Sequence, residues 1–135
     1  MTNPSKAKGT SWETEGVNYL NEVPLLGEAV RTGSADFGAA DVHVGDWTFE
    51  FKAEREIDLP GYLKQLKTAV DRSGRYRTQS AVWVKNRRHS VGDAYVVMSG
   101  ADYRALMVYL TMIERIATGA LNPALMDEIK ASPDA

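Results

Sequence analysis

The 135 residues predict one α/β domain, a mixed β-sheet flanked by helices. Three observations carry that expectation. Apolar residues alternate strictly at Val42, Val44, Trp47, Phe49 and Phe51 around a Gly45-Asp46 pair. Two further strand-like segments, Gln79–Lys85 and Asp93–Met98, come later in the chain. Stretches with helical apolar spacing precede, separate and succeed these strands.

In chain order, Met1–Gly9 reads as a loose basic arm. A helix is expected from Thr10 to about Glu22, with Thr10 or Ser11 as its N-cap and Trp12, Val17, Tyr19, Leu20 and Val23 near helical period. Pro24 stops it, and Glu28–Thr32 reads as a short strand before a glycine-containing loop, 33–38. Gly45-Asp46 suits a two-residue type II′ hairpin turn, because glycine tolerates the first central position. After the loop Ala53–Leu59, Pro60 sits where a helix begins, and Leu63, Leu66, Ala69 and Val70 carry its buried stripe to about Ser73. A basic loop, Asn86–Gly92, joins the last two strands. A final amphipathic helix is expected over Ala101–Ala117, with Gly119 just past its end and a tail from 119 to 135 holding no more than a helical turn. The element order is α-β-β-β-α-β-β-α, with the domain itself spanning 10–118.

Composition narrows the class. With 44% hydrophobic and 25% charged residues the chain is of soluble globular type, and no apolar run is long enough to span a bilayer. Residues 1–10 are polar and basic, unlike a secretory signal, so a cytoplasmic address is the default expectation. Cysteine is absent, which excludes disulfides and thiolate chemistry. The net charge of -2 conceals a strong asymmetry: residues 61–90 hold eight Lys/Arg against one acid, Asp71, whereas residues 1–60 hold five against eleven. Such a basic segment can neutralise phosphates in a salt-dependent way; a solvated basic helix and loop is the plainer alternative.

The hairpin register carries the chemistry. With Gly45-Asp46 as the turn, Val44 faces Trp47, His43 faces Thr48, Val42 faces Phe49 and Asp41 faces Glu50. Side chains alternate, so Asp41, His43, Thr48, Glu50 and Lys52 share the face opposite the apolar set. Directly opposed carboxylates, with Cβ atoms roughly 4.5–5.5 Å apart, destabilise a hairpin unless a cation or a proton lies between them. Their oxygens are the ligands that Mg²⁺ and Mn²⁺ prefer. Lys52 lies two residues beyond Glu50 on the same face. Glu13 falls with Val17 and Leu20 on the expected buried stripe of the first helix, where a carboxylate calls for a partner or a metal, while Glu15 points to water.

Lys8-Gly9-Thr10-Ser11-Trp12-Glu13 at a helix start, then Asp41, then Glu50-Phe51-Lys52 after a hairpin, resemble the archaeal Holliday-junction resolvases of the PD-(D/E)XK nuclease superfamily. The stretches Asp36–Val42, Glu50–Leu59 and Ser90–Val97 look closer still to resolvase-like nucleases of actinobacterial phages. The similarity covers roughly Lys8 to Tyr109, with Ala40 where the superfamily often has proline. The resemblance implies a restriction-endonuclease-like fold and Mg²⁺-dependent DNA cleavage, with Mn²⁺ able to substitute. Asp41, Glu50, Glu13 and the Phe51 carbonyl would hold the metal, and Lys52 would orient or deprotonate the attacking water or steady the developing charge.

The resemblance also implies a homodimer that nicks a four-way junction symmetrically, in the host cytoplasm if the chain is phage-encoded. Apolar residues on several sides of the last helix suit either such an interface or a buried helix. A nuclease for flaps, ends or linear duplex, and an inactive DNA-binding module, are the alternatives. Gln65 is a candidate to reach the site from the helix after the catalytic strand. His43 shares the carboxylate face, either to touch DNA or as an ordinary surface group. Candidate DNA contacts are Lys8, Arg31, Ser34, Arg72, Arg75, Arg77, Lys85, Arg87 and Arg88. Trp83 and Tyr95 are expected in the core.

Overall fold

A computed structural model describes residues 4–32, 40–74, 79–119 and 123–131. The loop 33–38, Ser34, Arg75 and Arg77 lie outside the described residues. The elements are α1 (Pro4–Asn21), β1 (Ala29–Arg31), β2 (Val42–Val44), β3 (Trp47–Lys52), α2 (Leu59–Ser73), β4 (Ser80–Val84), β5 (Tyr95–Val97), α3 (Gly100–Ala117) and α4 (Pro123–Ala131). Short 3₁₀ turns occupy Pro24–Leu26 and Val91–Asp93, the second of them cutting the expected strand Asp93–Met98 down to β5. The five strands form one open mixed sheet in the order β1-β2-β3-β4-β5. Only β3 and β4 are parallel, and α2 is the crossover between them.

The hairpin obeys its sequence signal. Val44 pairs with Trp47, His43 with Thr48 and Val42 with Phe49, and Gly45 takes a positive φ of 54° while Asp46 does not, as a II′ turn requires. Helix α2 starts where Pro60 predicts it. Asp58 caps it by accepting the Gly61 N–H at 3.1 Å, and Gly74 ends it in the left-handed conformation.

Two expectations about the chain ends are corrected. The basic arm is not loose throughout, because α1 begins at Pro4, with proline at a first helical position and Lys6-Ala7-Lys8 as good helix formers. The tail holds more than a turn: α4 spans nine residues and again opens on a proline. The chain divides into two units, residues 1–98 and 99–135.

Unit 1 is the sheet with a helix on each face. On one face Trp12 and Leu20 of α1 pack with Ala29, Val42, Val44, Phe49, Phe51, Ala81 and Val91. Phe51 stacks on the half-buried Trp83 ring with centroids 5.7 Å apart. The buried row of α1 is Trp12, Gly16 and Leu20, so Glu13 and Val17 flank it instead of lying on it. Gly16 is required there: a Cβ at this position would stand 2.1 Å from a ring carbon of Phe51. On the other face Tyr62, Leu66 and Val70 of α2 cover Val82 and Val84. The sheet is therefore buried on both sides at β3, including the face that carries Thr48 and Glu50.

At the β1 edge the Asn21 side chain stands in for a further strand, accepting the Ala29 N–H at 2.8 Å and donating to the Ala29 carbonyl at 3.4 Å. At the β5 edge Tyr95 is 54% exposed, against the expectation that it is core.

Unit 2 is a pair of helices. Ser99 caps α3 through the Asp102 N–H, Gly119 lies just past its end with φ 70°, and Arg115 pairs with Glu128 of α4 at 3.3 Å. Arg104, Met107, Val108, Thr111, Met112 and Ile129 line a groove between α3 and α4. No described helix is long and apolar enough to cross a membrane.

Candidate active site

The site forms where the hairpin ladder stops. β2 pairs with β3 only as far as Val42–Phe49. Asp41 N–H then donates to the Phe49 carbonyl at 3.1 Å, so two successive residues, Asp41 and Val42, face one residue of β3. The direct cross-strand opposition of Asp41 and Glu50, expected from an uninterrupted register, is not made. Instead the Asp41 carboxylate turns onto β3 and accepts the Phe51 N–H at 2.8 Å, replacing the ladder partner that the departing strand no longer supplies. The diverging chain is held by Thr32, whose N–H donates to the Asp41 carbonyl at 3.1 Å and whose hydroxyl donates to the Ala40 carbonyl.

Glu50 is the anomaly. Its side chain lies on the α2 face of β3, it is 1% exposed, and neither carboxylate oxygen has a hydrogen-bond partner in the protein. Lys52 Nζ is 3.9 Å from Oε2, within ion-pair range but beyond hydrogen-bond length. Burial above all, and then the like charge and nearness of the Asp41 carboxyl, push the Glu50 carboxyl up to about 8, against the partial relief from Lys52. Glu13 adds a further like charge.

Glu13 reaches the same place from α1. Arg31 holds its Oε2 with both Nε (3.1 Å) and Nη2 (3.0 Å). Its carboxyl is still raised, first by burial and then by Asp41, with Arg31 and Lys52 opposing. Lys52, the last residue of β3, donates to Gln65 Oε1 of α2 at 2.6 Å. Three carboxylates, one lysine and one amide from α1, β3, α2 and the end of β2 thus converge, and each of the five is a candidate from sequence.

No family model, curated protein or solved structure matches the chain.

Glu13, Asp41 and Glu50 offer oxygen donors, the kind that a hard divalent cation takes. Glu50 presents two buried oxygens without partners, and Asp41 and Glu13 each keep one oxygen outside the bonds to the Phe51 N–H and to Arg31. Among the described residues no three acidic or imidazole groups already close around one point.

The remaining candidates lie around this centre. Lys85 N–H donates to the Lys52 carbonyl at 2.8 Å, so the basic loop begins beside the site, and the Lys85 ammonium lies 5.7 Å from the centre of the Trp12 ring. Arg87 and Arg88 are exposed in a turn closed by His89 N–H on the Asn86 carbonyl, where Arg88 has a φ of 64°. Lys8 and Arg72 are also exposed. His43 Nδ1 is 3.4 Å from the Thr48 hydroxyl, a satisfied polar contact. Sequence reasoning misses the roles of two residues. Arg31 reads there as a DNA contact, although Ala29 and Arg31 share a strand face, which turns Arg31 toward α1. Tyr62 carries no signal of its own, and its ring lies 5.5 Å beneath the Lys52 ammonium.

Proposed function

We propose that the chain is a divalent-metal-dependent endodeoxyribonuclease of restriction-endonuclease-like fold, cutting four-way junctions or similar branched DNA. The observation that carries this reading is Glu50: a fully buried carboxylate with two orphaned oxygens, beside two more carboxylates and a lysine. A buried charge of this kind is tolerable when a cation or a proton completes it. Carboxylates arranged for a cation, with an ammonium at their edge, suit an anionic substrate such as a phosphodiester.

Asp41 and Glu50 would hold Mg²⁺ or Mn²⁺, with Glu13 and the Phe51 carbonyl assisting. When bound, the ion supplies an activated water and neutralises charge developing on the scissile phosphate. Burial of Glu50 beneath α2 fixes its carboxylate on β3 and keeps it from solvent. Lys52 donates to a phosphate oxygen or to the attacking water, and Gln65 holds it in reach until substrate arrives. Lys85, Arg87 and Arg88, with Lys8 and Arg72, contact the backbone and orient the duplex without reading sequence. Two strands of a junction need two such sites, which favours a homodimer. The exposed Tyr103, Met107, Leu110 and Ile113 of α3 support an interface there.

The test is a panel of four-way junction, flap and linear duplex of matched sequence, incubated with Mg²⁺ or with EDTA. Cutting of the junction in Mg²⁺ alone is expected. Equal cutting of all three removes the branch specificity, and no cutting in Mg²⁺ or Mn²⁺ removes the nuclease and favours a DNA-binding module.

A further inference from the structure

Lysine is a poor fixture by itself. Its four-carbon stem carries about 2 kcal/mol of rotamer freedom, and Lys52 is the last residue of β3, at the point where strand pairing gives way to a connecting segment. Three groups surround its ammonium: Gln65 Oε1 at 2.6 Å, Glu50 Oε2 at 3.9 Å and the Tyr62 ring at 5.5 Å. They are not equally firm. Gln65 is itself exposed and long. Glu50 is the group a cation would engage. Tyr62 is 4% exposed, packed with Leu66, Val70, Val82 and Val84, and its one O–H is shared between two acceptors, Glu54 Oε2 at 2.8 Å and the Glu56 carbonyl at 3.1 Å.

Those ties come from the segment that leaves Lys52. Ala53–Asp58 runs from the end of β3 to the start of α2, and Glu54, Glu56 and the Asp58 cap all bind the first turn of α2. Tyr62 and Gln65, three residues apart, share one face of that helix. The strand end and the helix start therefore behave as one piece, with the phenol ring as its fixed point. A ring face within about 6 Å attracts an ammonium, most of all away from water, and it does so without occupying any of the ammonium's three hydrogens.

We infer that Tyr62 is a positioning residue for Lys52: its ring, clamped by Glu54 and the Glu56 carbonyl, holds the ammonium toward the carboxylates while leaving its N–H groups free for substrate. The role in turnover rests on the nuclease reading; the placement of Lys52 does not. Tyr62→Phe keeps the ring and loses the clamp, Tyr62→Leu keeps apolar bulk and loses the ring, and Glu54→Ala loosens the clamp from the surface without disturbing the core.

The experiment uses the full chain labelled with ¹³C,¹⁵N-lysine, in EDTA and without DNA, with the Lys52 signals assigned by their loss in Lys52→Ala. Ring-current shielding moves the Lys52 ε-methylene protons upfield of those of the exposed lysines in wild type and, less far, in Tyr62→Phe, and Tyr62→Leu returns them to the position of the exposed lysines. With Mg²⁺ and junction DNA, Tyr62→Leu lowers kcat about ten- to a hundredfold with KM and DNA affinity unchanged, and Tyr62→Phe restores most of the rate. Glu54→Ala gives a smaller upfield shift than wild type. An unshifted Lys52 methylene in the wild-type protein overturns the inference whatever the variants do, as does a folded Tyr62→Leu protein that keeps both the shift and the rate. A shifted methylene in a protein that cuts no DNA leaves the placement standing and defeats the nuclease reading instead.

Discussion

Replacing Glu50 by glutamine separates the two ways in which its buried carboxylate can be completed. Glutamine has nearly the same shape and no charge, so the variant lacks the cost of burying an anion. In the absence of metal, the wild type avoids that cost only by keeping a proton on Glu50, whose carboxyl is raised from 4.5 to about 8. A carboxyl raised on folding binds its proton more tightly in the folded state. The associated stability is complete below about pH 4.5 and is lost as pH rises through about 8. At 1.36 kcal/mol per unit the full loss is about 5 kcal/mol, of which about 4 kcal/mol falls between pH 5 and pH 9.

The assay is urea unfolding of both proteins in EDTA across that range. With a slope of about 2 kcal/mol per molar, the wild-type midpoint should fall by about 2 M relative to Glu50→Gln. Mg²⁺ should close the gap at pH 9 for the wild type and leave the variant unmoved. Parallel pH profiles for the two proteins would refute the reasoning, because they would mean that Glu50 is solvated or already paired.

Four more outcomes are expected from the same geometry. Lys52→Ala should abolish cleavage in Mg²⁺ while junction affinity changes less than about threefold; wild-type cutting would remove Lys52 from the site. Arg88 occupies the position of a type II turn that favours glycine, so Arg88→Gly should raise Tm by about 2–4 °C through relief of roughly 0.5–1 kcal/mol of backbone strain; an unchanged or lower Tm would mean that the turn holds no such strain. Neutralising Arg87 together with Arg88 should raise the Kd for DNA and flatten its dependence on salt; unchanged binding would separate this loop from the substrate. Gly16→Ala drives a methyl into the Phe51 ring and should cost about 2–3 kcal/mol in chemical denaturation; a neutral result would mean that α1 shifts freely on the sheet.

Much of this site was legible because a strand writes its geometry directly into sequence. Alternation around Gly45-Asp46 set the hairpin register and put Glu50 and Lys52 on one face, and Pro60 with its helical stripe carried Gln65 back over them. The features that escaped reading depend on long-range packing. Alternation cannot tell a solvated second face from one covered by α2, so the burial of Glu50 shows only where Tyr62 and Leu66 cover that layer. A strand's end depends on its neighbour, and the divergence at Asp41, held by Thr32 on Ala40, changed an expected carboxylate pair into a side chain bound to the Phe51 N–H. Helical spacing fixed the face of α1 only to within one residue. Trp12, Gly16 and Leu20 form its buried row and leave Glu13 at the rim, where Arg31 reaches it. Tyr62 stands outside the stripe Leu63, Leu66, Ala69 and Val70 that the sequence marks, and only the fold puts its ring beneath Lys52.

The central claim is that Glu13, Asp41 and Glu50 form a cation site centred on Glu50, and the most direct measurement is Mn²⁺ binding monitored by electron paramagnetic resonance at pH 8. Wild type should quench the free-ion signal in proportion to protein, with Mg²⁺ competing for the same site. Glu50→Gln should leave the signal at its protein-free level at the same concentrations. Equal Mn²⁺ uptake by wild type and Glu50→Gln, or none by either, would contradict the account.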